Sequence, residues 1–246
     1  MARARVTAGG APPRPRARVA VLASGGGSNL QALLDHLDAL GEARAADVVL
    51  VLADRPQAGA LARAAARGIA TAALADPADG PALAAPLGAR GADLVVLAGY
   101  LKLVPAAVTA RHRGRMLNVH PALLPAFGGH GMYGARVHRA VLAAGARVSG
   151  PTVHFVDEAY DRGAIVAQWP VPVSADDTPE TLAARVLRAE HALLPRVVQA
   201  VAAGAVALEA DGRVLGAFAL PPDAPPFALP AAWAPADAGL DAALTP

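Results

Sequence analysis

The chain has 246 residues, of which 54% are hydrophobic, 17% charged and 4% aromatic, with a formal net charge of +2 and no cysteine. That length supports a substantial core, and the missing cysteines exclude disulfides, thiolate nucleophiles and Cys-ligated zinc. Arginine is dense in the first eighteen residues and the net charge is small, so no nucleic-acid footprint is expected of the body, and no apolar run reaches the length of a membrane span.

In chain order, residues 1–17 are rich in Arg, Pro and Gly and read as a disordered extension. The apolar run after them is too short for a signal peptide, and a cytoplasmic protein is expected. Residues 18–216 read as the folded domain. Strands are expected at 19–23, 48–53, 71–74, 94–98 and 116–119, with helices at 29–40, 58–67 and 81–90 between them. The helix at 29–40 places Leu30, Leu33, Leu34 and Leu37 on one face. After a glycine-rich stretch at 128–134 come a short helix at 137–144 and two long strands at 151–156 and 164–173. A helix follows at 178–203 with Pro179 in its first turn, and then a hairpin around Asp211-Gly212. Residues 217–246 read as a Pro/Ala-rich tail. This rhythm predicts an α/β fold: a doubly wound, mainly parallel, Rossmann-like sheet with helices on both faces and some antiparallel C-terminal strands.

The stretch Ser24-Gly25-Gly26-Gly27-Ser28-Asn29 joins the first strand to the first helix. Free amides at a helix start, with Ser28 as cap, suit an anion such as phosphate. The spacing matches neither a Walker loop nor a G-x-G-x-x-G dinucleotide loop. Further on, Asn118 and His120 lie two apart on a strand, so both point to one face, and Pro121 stops the pairing there. In open α/β sheets ligands bind at that strand end. An amide and an imidazole there can face a substrate carbonyl, the amide donating a hydrogen bond and the ring exchanging a proton. The turn after His154 offers Asp157, Glu158 and Asp161. An acid in that turn could orient His120 and raise its pKa, and the pattern alone does not single one out.

Five segments, VAVLASGGGSNLQAL (19–33), DLVVLAGYLKLV (93–104), LNVHPALLPAFGG (117–129), SGPTVHFVDEAYDRGAIVAQ (149–168) and RAEHALLPRVV (188–198), resemble the phosphoribosylglycinamide formyltransferase family in the family's order. The resemblance implies formyl transfer from 10-formyltetrahydrofolate, as co-substrate, to the amine of glycinamide ribonucleotide in purine biosynthesis, without a metal. It implies catalytic roles for Asn118, His120 and Asp161, with Asn118 and a protonated His120 stabilising charge on the formyl oxygen. It places the phosphate and ribose on Gly27, Ser28, Asn29 and Glu190. The folate lies along Leu101, Lys102, Leu103, Val104 and Asn118, with His154 supporting and His138 in a lesser role. It implies small-molecule partners, no nucleic acid or membrane, and a monomer or homodimer. The segment 78–88 lacks an arginine that many relatives carry there, and none is assigned.

Two alternatives stand beside this reading. One is a formyltransferase of the same superfamily acting on another amine. A methionyl-tRNA formyltransferase would add an RNA-binding domain after about residue 210, where the remaining chain is short and poor in basic residues. The other is a non-catalytic nucleotide-binding module, which the presence of Asn118, His120 and Asp161 disfavours.

Overall fold

A computed structural model describes residues 15–220. Most of the expected extension and tail therefore lies outside the described residues. At both edges the body reaches further than 18–216. Arg16 pairs with Glu42 at 2.6 Å. The Ala217 amide donates to the Ala205 carbonyl at 3.2 Å, and Phe218 and Leu220 pack on the core.

The elements run β1 (Ala17–Ala23), α1 (Ser28–Leu40), a 3-10 turn (Gly41–Ala43), β2 (Ala46–Ala53), α2 (Gly59–Ala65), β3 (Ala70–Ala73) and α3 (Gly80–Ala89). Then come β4 (Leu94–Leu97), α4 (Ala106–Arg111), β5 (Met116–His120), α5 (Ala135–Ala143), β6 (Val148–Ser149), β7 (Thr152–Phe155) and β8 (Ile165–Gln168). The chain closes with β9 (Val171–Pro172), α6 (Pro179–Ala202), β10 (Val206–Leu208) and β11 (Val214–Gly216).

Seven strands form one sheet in the order β3-β2-β1-β4-β5-β7-β8. The first five are parallel, and β7 and β8 are antiparallel. The fold class expected from the sequence is the one observed. Val19, Val21 and Ala23 of β1 enter the core shared with α1, α2, α5 and α6. Ala20 and Leu22 enter the other core, beneath α3 and α4. A strand segment covered on both faces must be apolar at every position, which is why Val19–Ala23 of β1 shows no alternation.

The structure departs from the sequence reading along β8–β9 and at α4. The strand expected over 164–173 is two strands, because Trp169-Pro170 interrupts it and Pro170 has no N–H to pair. β8 continues the main sheet while β9 pairs with β6 in a separate ribbon. Helix α4 was not anticipated, since six residues are too few to display a period. The long helix α6 begins as expected, with the Thr178 hydroxyl accepting from the Thr181 amide and Pro179 in the first turn.

Candidate active site

The strand order reverses between β1 and β4, so the loops leaving them diverge and open a crevice. Two bonds stitch its floor. The Ser24 amide donates to the Gly99 carbonyl, and the Leu101 amide donates to the Ser24 hydroxyl, each at 3.0 Å. Above this floor lies a cavity of about 650 Å³. Asn29, Leu101, Lys102, Leu103, Val104, Asn118, His120, His154, Asp161 and Glu190 all line it, together with His138. Gly27 and Ser28 do not; they stand beyond Asn29, outside its lining.

One wall is a cross-strand pair. Asn118 on β5 sits opposite His154 on antiparallel β7, so their side chains share a face. His154 Nδ1 donates to its neighbour's carbonyl, Phe155 O, at 2.8 Å, which leaves Nε2 as an acceptor. Asn118 Nδ2 lies 3.1 Å from that Nε2 and 3.4 Å from Asp161 Oδ1. Both amide hydrogens thus already face protein acceptors. To donate to a substrate oxygen, as the sequence reading expects, Asn118 must release one of them, and the longer bond to Asp161 is the cheaper to give up.

His120 is the last residue of β5 and only 3% exposed. Its Nε2 donates to the Phe127 carbonyl at 2.9 Å, and its Nδ1 lies 3.4 Å from Asp161 Oδ2. Burial holds its pKa below the ordinary histidine value, although the Asp161 charge and the Phe127 carbonyl pull it upward. The sequence reading expected the acid to raise this pKa. Burial outweighs it, and the net shift is downward.

Of the three acids in the turn, Asp161 is the one that enters the cavity. Burial alone would raise its pKa, but His154, His120 and the Gly129 amide, donating at 2.9 Å, together hold it below the ordinary carboxylate range. Its backbone is left-handed, with φ of 55°. Gly163 closes the same turn because any Cβ there would collide with the Phe155 carbonyl. The loop after β5 is fixed from β7. The Thr152 hydroxyl donates to Ala122 O at 2.7 Å and accepts from Leu124 N and Gln168 Nε2, each at 3.0 Å.

At another wall α1 meets α6. Asn29 Nδ2 donates to Glu190 Oε2 at 2.6 Å. Glu190 is 7% exposed, and burial pushes its pKa up to about 7 against the opposing Asn29 bond. Asn29 Oδ1 is buried without a partner. An unpaired acceptor beside a carboxylate is poised for hydroxyl donors.

The glycine loop carries its own unmet demand. Among the described residues no acceptor is found for the N–H of Gly26, Gly27, Ser28, Asn29 or Leu30. Such a run of free amides at a helix start favours an anion. Gly27, at φ 76°, is the N-cap, and Ser28 does not cap the helix with its side chain, contrary to expectation. A Cβ on Gly27 would lie 2.7 Å from Ala60 Cα, so glycine is needed for α2 to seat against the loop.

Some lining groups went unread in the sequence. Tyr100 lines the cavity with its hydroxyl buried and unpartnered, and burial pushes its pKa up to about 12. The Phe127 carbonyl and Gly129 amide act through the backbone and leave no residue signature. Only the glycine-rich stretch hinted at them.

Comparison with known proteins gives a consistent picture. A family model described as Formyl transferase matches residues 17–198. The chain is 46% identical over 204 residues to the chloroplastic phosphoribosylglycinamide formyltransferase of Arabidopsis thaliana, covering 80% of this chain and 69% of that one. It is 40% identical over 205 residues to the trifunctional purine biosynthetic protein adenosine-3 of Bos taurus, covering 81% of this chain but 20% of that longer protein. A crystal structure of phosphoribosylglycinamide formyltransferase from Anaplasma phagocytophilum superposes with a TM-score of 0.74 at 34% identity, covering 81% of this chain and 92% of that one.

Proposed function

This chain belongs to the formyl transferase family, and we propose that it transfers a formyl group to the amine of glycinamide ribonucleotide, a step of purine biosynthesis. One observation carries the assignment of roles: Asn118, His120 and Asp161 converge with Asn29 and Glu190 on one cavity. We read the cytoplasm as its compartment, while the name of the Arabidopsis relative places that protein in the chloroplast. No helix among the described residues is long and apolar enough to cross a membrane.

The donor on this reading is 10-formyltetrahydrofolate, which supplies the one-carbon unit when bound. The cavity suits it. A volume of about 650 Å³ is that of a drug-sized ligand site. Leu101, Leu103 and Val104 offer an aliphatic wall, and Leu101 and Leu103 are exposed, as side chains awaiting an apolar ligand would be. The polar groups gather around Asn118, His120 and Asp161.

The chemistry then follows from these residues. Asn118 turns an amide hydrogen to the oxygen of the carbonyl under attack. A protonated His120 stabilises the negative charge that develops beside it, and Asp161 stabilises the imidazolium. Asp161 is held ionised and relays, directly or through water, the proton that the attacking nitrogen sheds; that proton ends on the donor nitrogen as its bond to the formyl carbon breaks, and the donor leaves as a neutral amine. His154 and the Gly129 amide keep Asp161 in place. Glu190 and Asn29 receive ribose hydroxyls, and the free amides from Gly27 to Asn29 receive the phosphate.

The test is to mix the purified protein with glycinamide ribonucleotide and 10-formyltetrahydrofolate and follow the folate product by absorbance. Turnover supports the reading. Turnover with water or a sugar nucleotide as acceptor, and none with this amine, would overturn it.

A further inference from the structure

A phosphate monoester carries nearly two negative charges at neutral pH. A helix start supplies about half a positive charge. The glycine loop itself holds no cationic side chain. We propose that Arg63, on α2, is the cation that binds the substrate phosphate, an inference that rests on the function proposed above.

Arg63 touches the loop directly. Its Nε donates to the Gly26 carbonyl at 2.7 Å, and its Nη1 donates to Gln31 Oε1 at 3.2 Å. Those two bonds fix the guanidinium plane and leave Nη2 uncommitted. Among the described residues no carboxylate lies within ion-pair distance of Arg63. Its neighbours differ. Arg67 pairs with Asp35 and Asp38, and Arg55 with Asp54.

The surroundings make this charge a fixed one. Gln31 donates to Asp35, which also holds Arg67, so Arg63's partner is itself anchored. Helix α2 is locked to the loop by the Ala60 amide donating to the Gly25 carbonyl at 3.2 Å and by the close seat of Gly27 on Ala60. Beside the guanidinium, Gly25 and Gly26 are exposed, and a Cβ on either would meet nothing within 4 Å. The free amides, the open space and the planar fork of donors together make a phosphate seat.

The alternative is that Arg63 only shapes the loop, and substrate trimming separates the two. Arg63→Ala should raise KM for the nucleotide by roughly tenfold to a hundredfold, with kcat within about twofold. Its KM for the dephosphorylated ribosylglycinamide should match wild type, and Arg63→Lys should recover part of the loss. An equal rise in KM for both substrates, or none for either, would overturn the proposal. Calorimetry with inorganic phosphate gives a second readout, in which Arg63→Ala should weaken Kd and an unchanged Kd would overturn it. If wild type fails to turn over the nucleotide, the functional reading falls, and the phosphate titration still decides the role of Arg63.

Discussion

Phe127 and Asp161 hold opposite nitrogens of one imidazole, His120, and they are the non-glycine residues of the described chain with left-handed backbone. That conformation costs of order 1–3 kcal/mol at each and persists only where surrounding structure enforces it. Here it aims a carbonyl and a carboxylate at the same ring. Asn tolerates the left-handed region, so Asp161→Asn should keep the fold while removing the charge. The variant should lose roughly a hundredfold or more in kcat. The His120 pKa should fall further, because Asp161 is the larger of the two groups that oppose burial there. Histidine NMR titration and kcat measure both, and near-wild-type values would refute the assigned role.

Glu190 makes stability depend on pH in an unusual direction. An ordinary glutamate ionises near 4.5, whereas this one titrates at about 7 in the folded chain. The folded state therefore holds a proton that the unfolded state releases between those values. Its contribution is greatest below about pH 4.5 and is lost as pH rises through 7, about 3 kcal/mol in all. Glu190→Gln should lack this slope. Denaturant titrations of both proteins at pH 5 and pH 8 give the comparison, and parallel slopes would count against a raised Glu190.

The glycines of the loop are not equivalent. Gly27→Ala forces a left-handed alanine into Ala60, whereas Gly26→Ala places its methyl in open space. The first should lower Tm and raise KM for the nucleotide, and the second should leave Tm close to wild type. Equal losses in Tm would show that the seat against α2 is unimportant.

Thr152 serves the site from beneath. Valine in its place strands the buried Leu124 amide and weakens the hold on Gln168, which should cost about 1–3 kcal/mol. Thr152→Ser retains the hydroxyl and should recover most of the stability. Chemical denaturation of the pair checks this, and a serine variant as unstable as the valine one would shift the weight to packing.

Much of this architecture is legible in the sequence because the covered strands are uninterrupted aliphatic runs and the helices display their leucines. α1 buries the face predicted for it, with Leu30, Leu33, Leu34 and Leu37 inside. The break at Trp169-Pro170 and the short α4 are harder, since neither sustains a period. At the site, two-residue spacing put Asn118 and His120 on one face, but choosing Asp161 over Asp157 and Glu158 required the family resemblance. The Asp161 side chain reaches Asn118 through a backbone twist that no composition rule signals. The upward pull of Asp161 on His120 was legible, but the net direction was not, for a related reason. The sequence names a charged neighbour but not how completely the ring is enclosed. The partnership of Asn29 with Glu190 spans 161 positions and could not be inferred from either segment alone.

That span has a consequence for how the protein is made. Among the described residues Asn29 lies in the first helix and Glu190 in the last, so α1 is synthesised well before α6. Until α6 has emerged and docked, an incomplete chain has β1, α1 and the glycine loop but no ribose seat. Substrate can then grip at both ends only once α6 has docked, and by closing on both helices it adds its binding energy to the contact that joins α1 to α6.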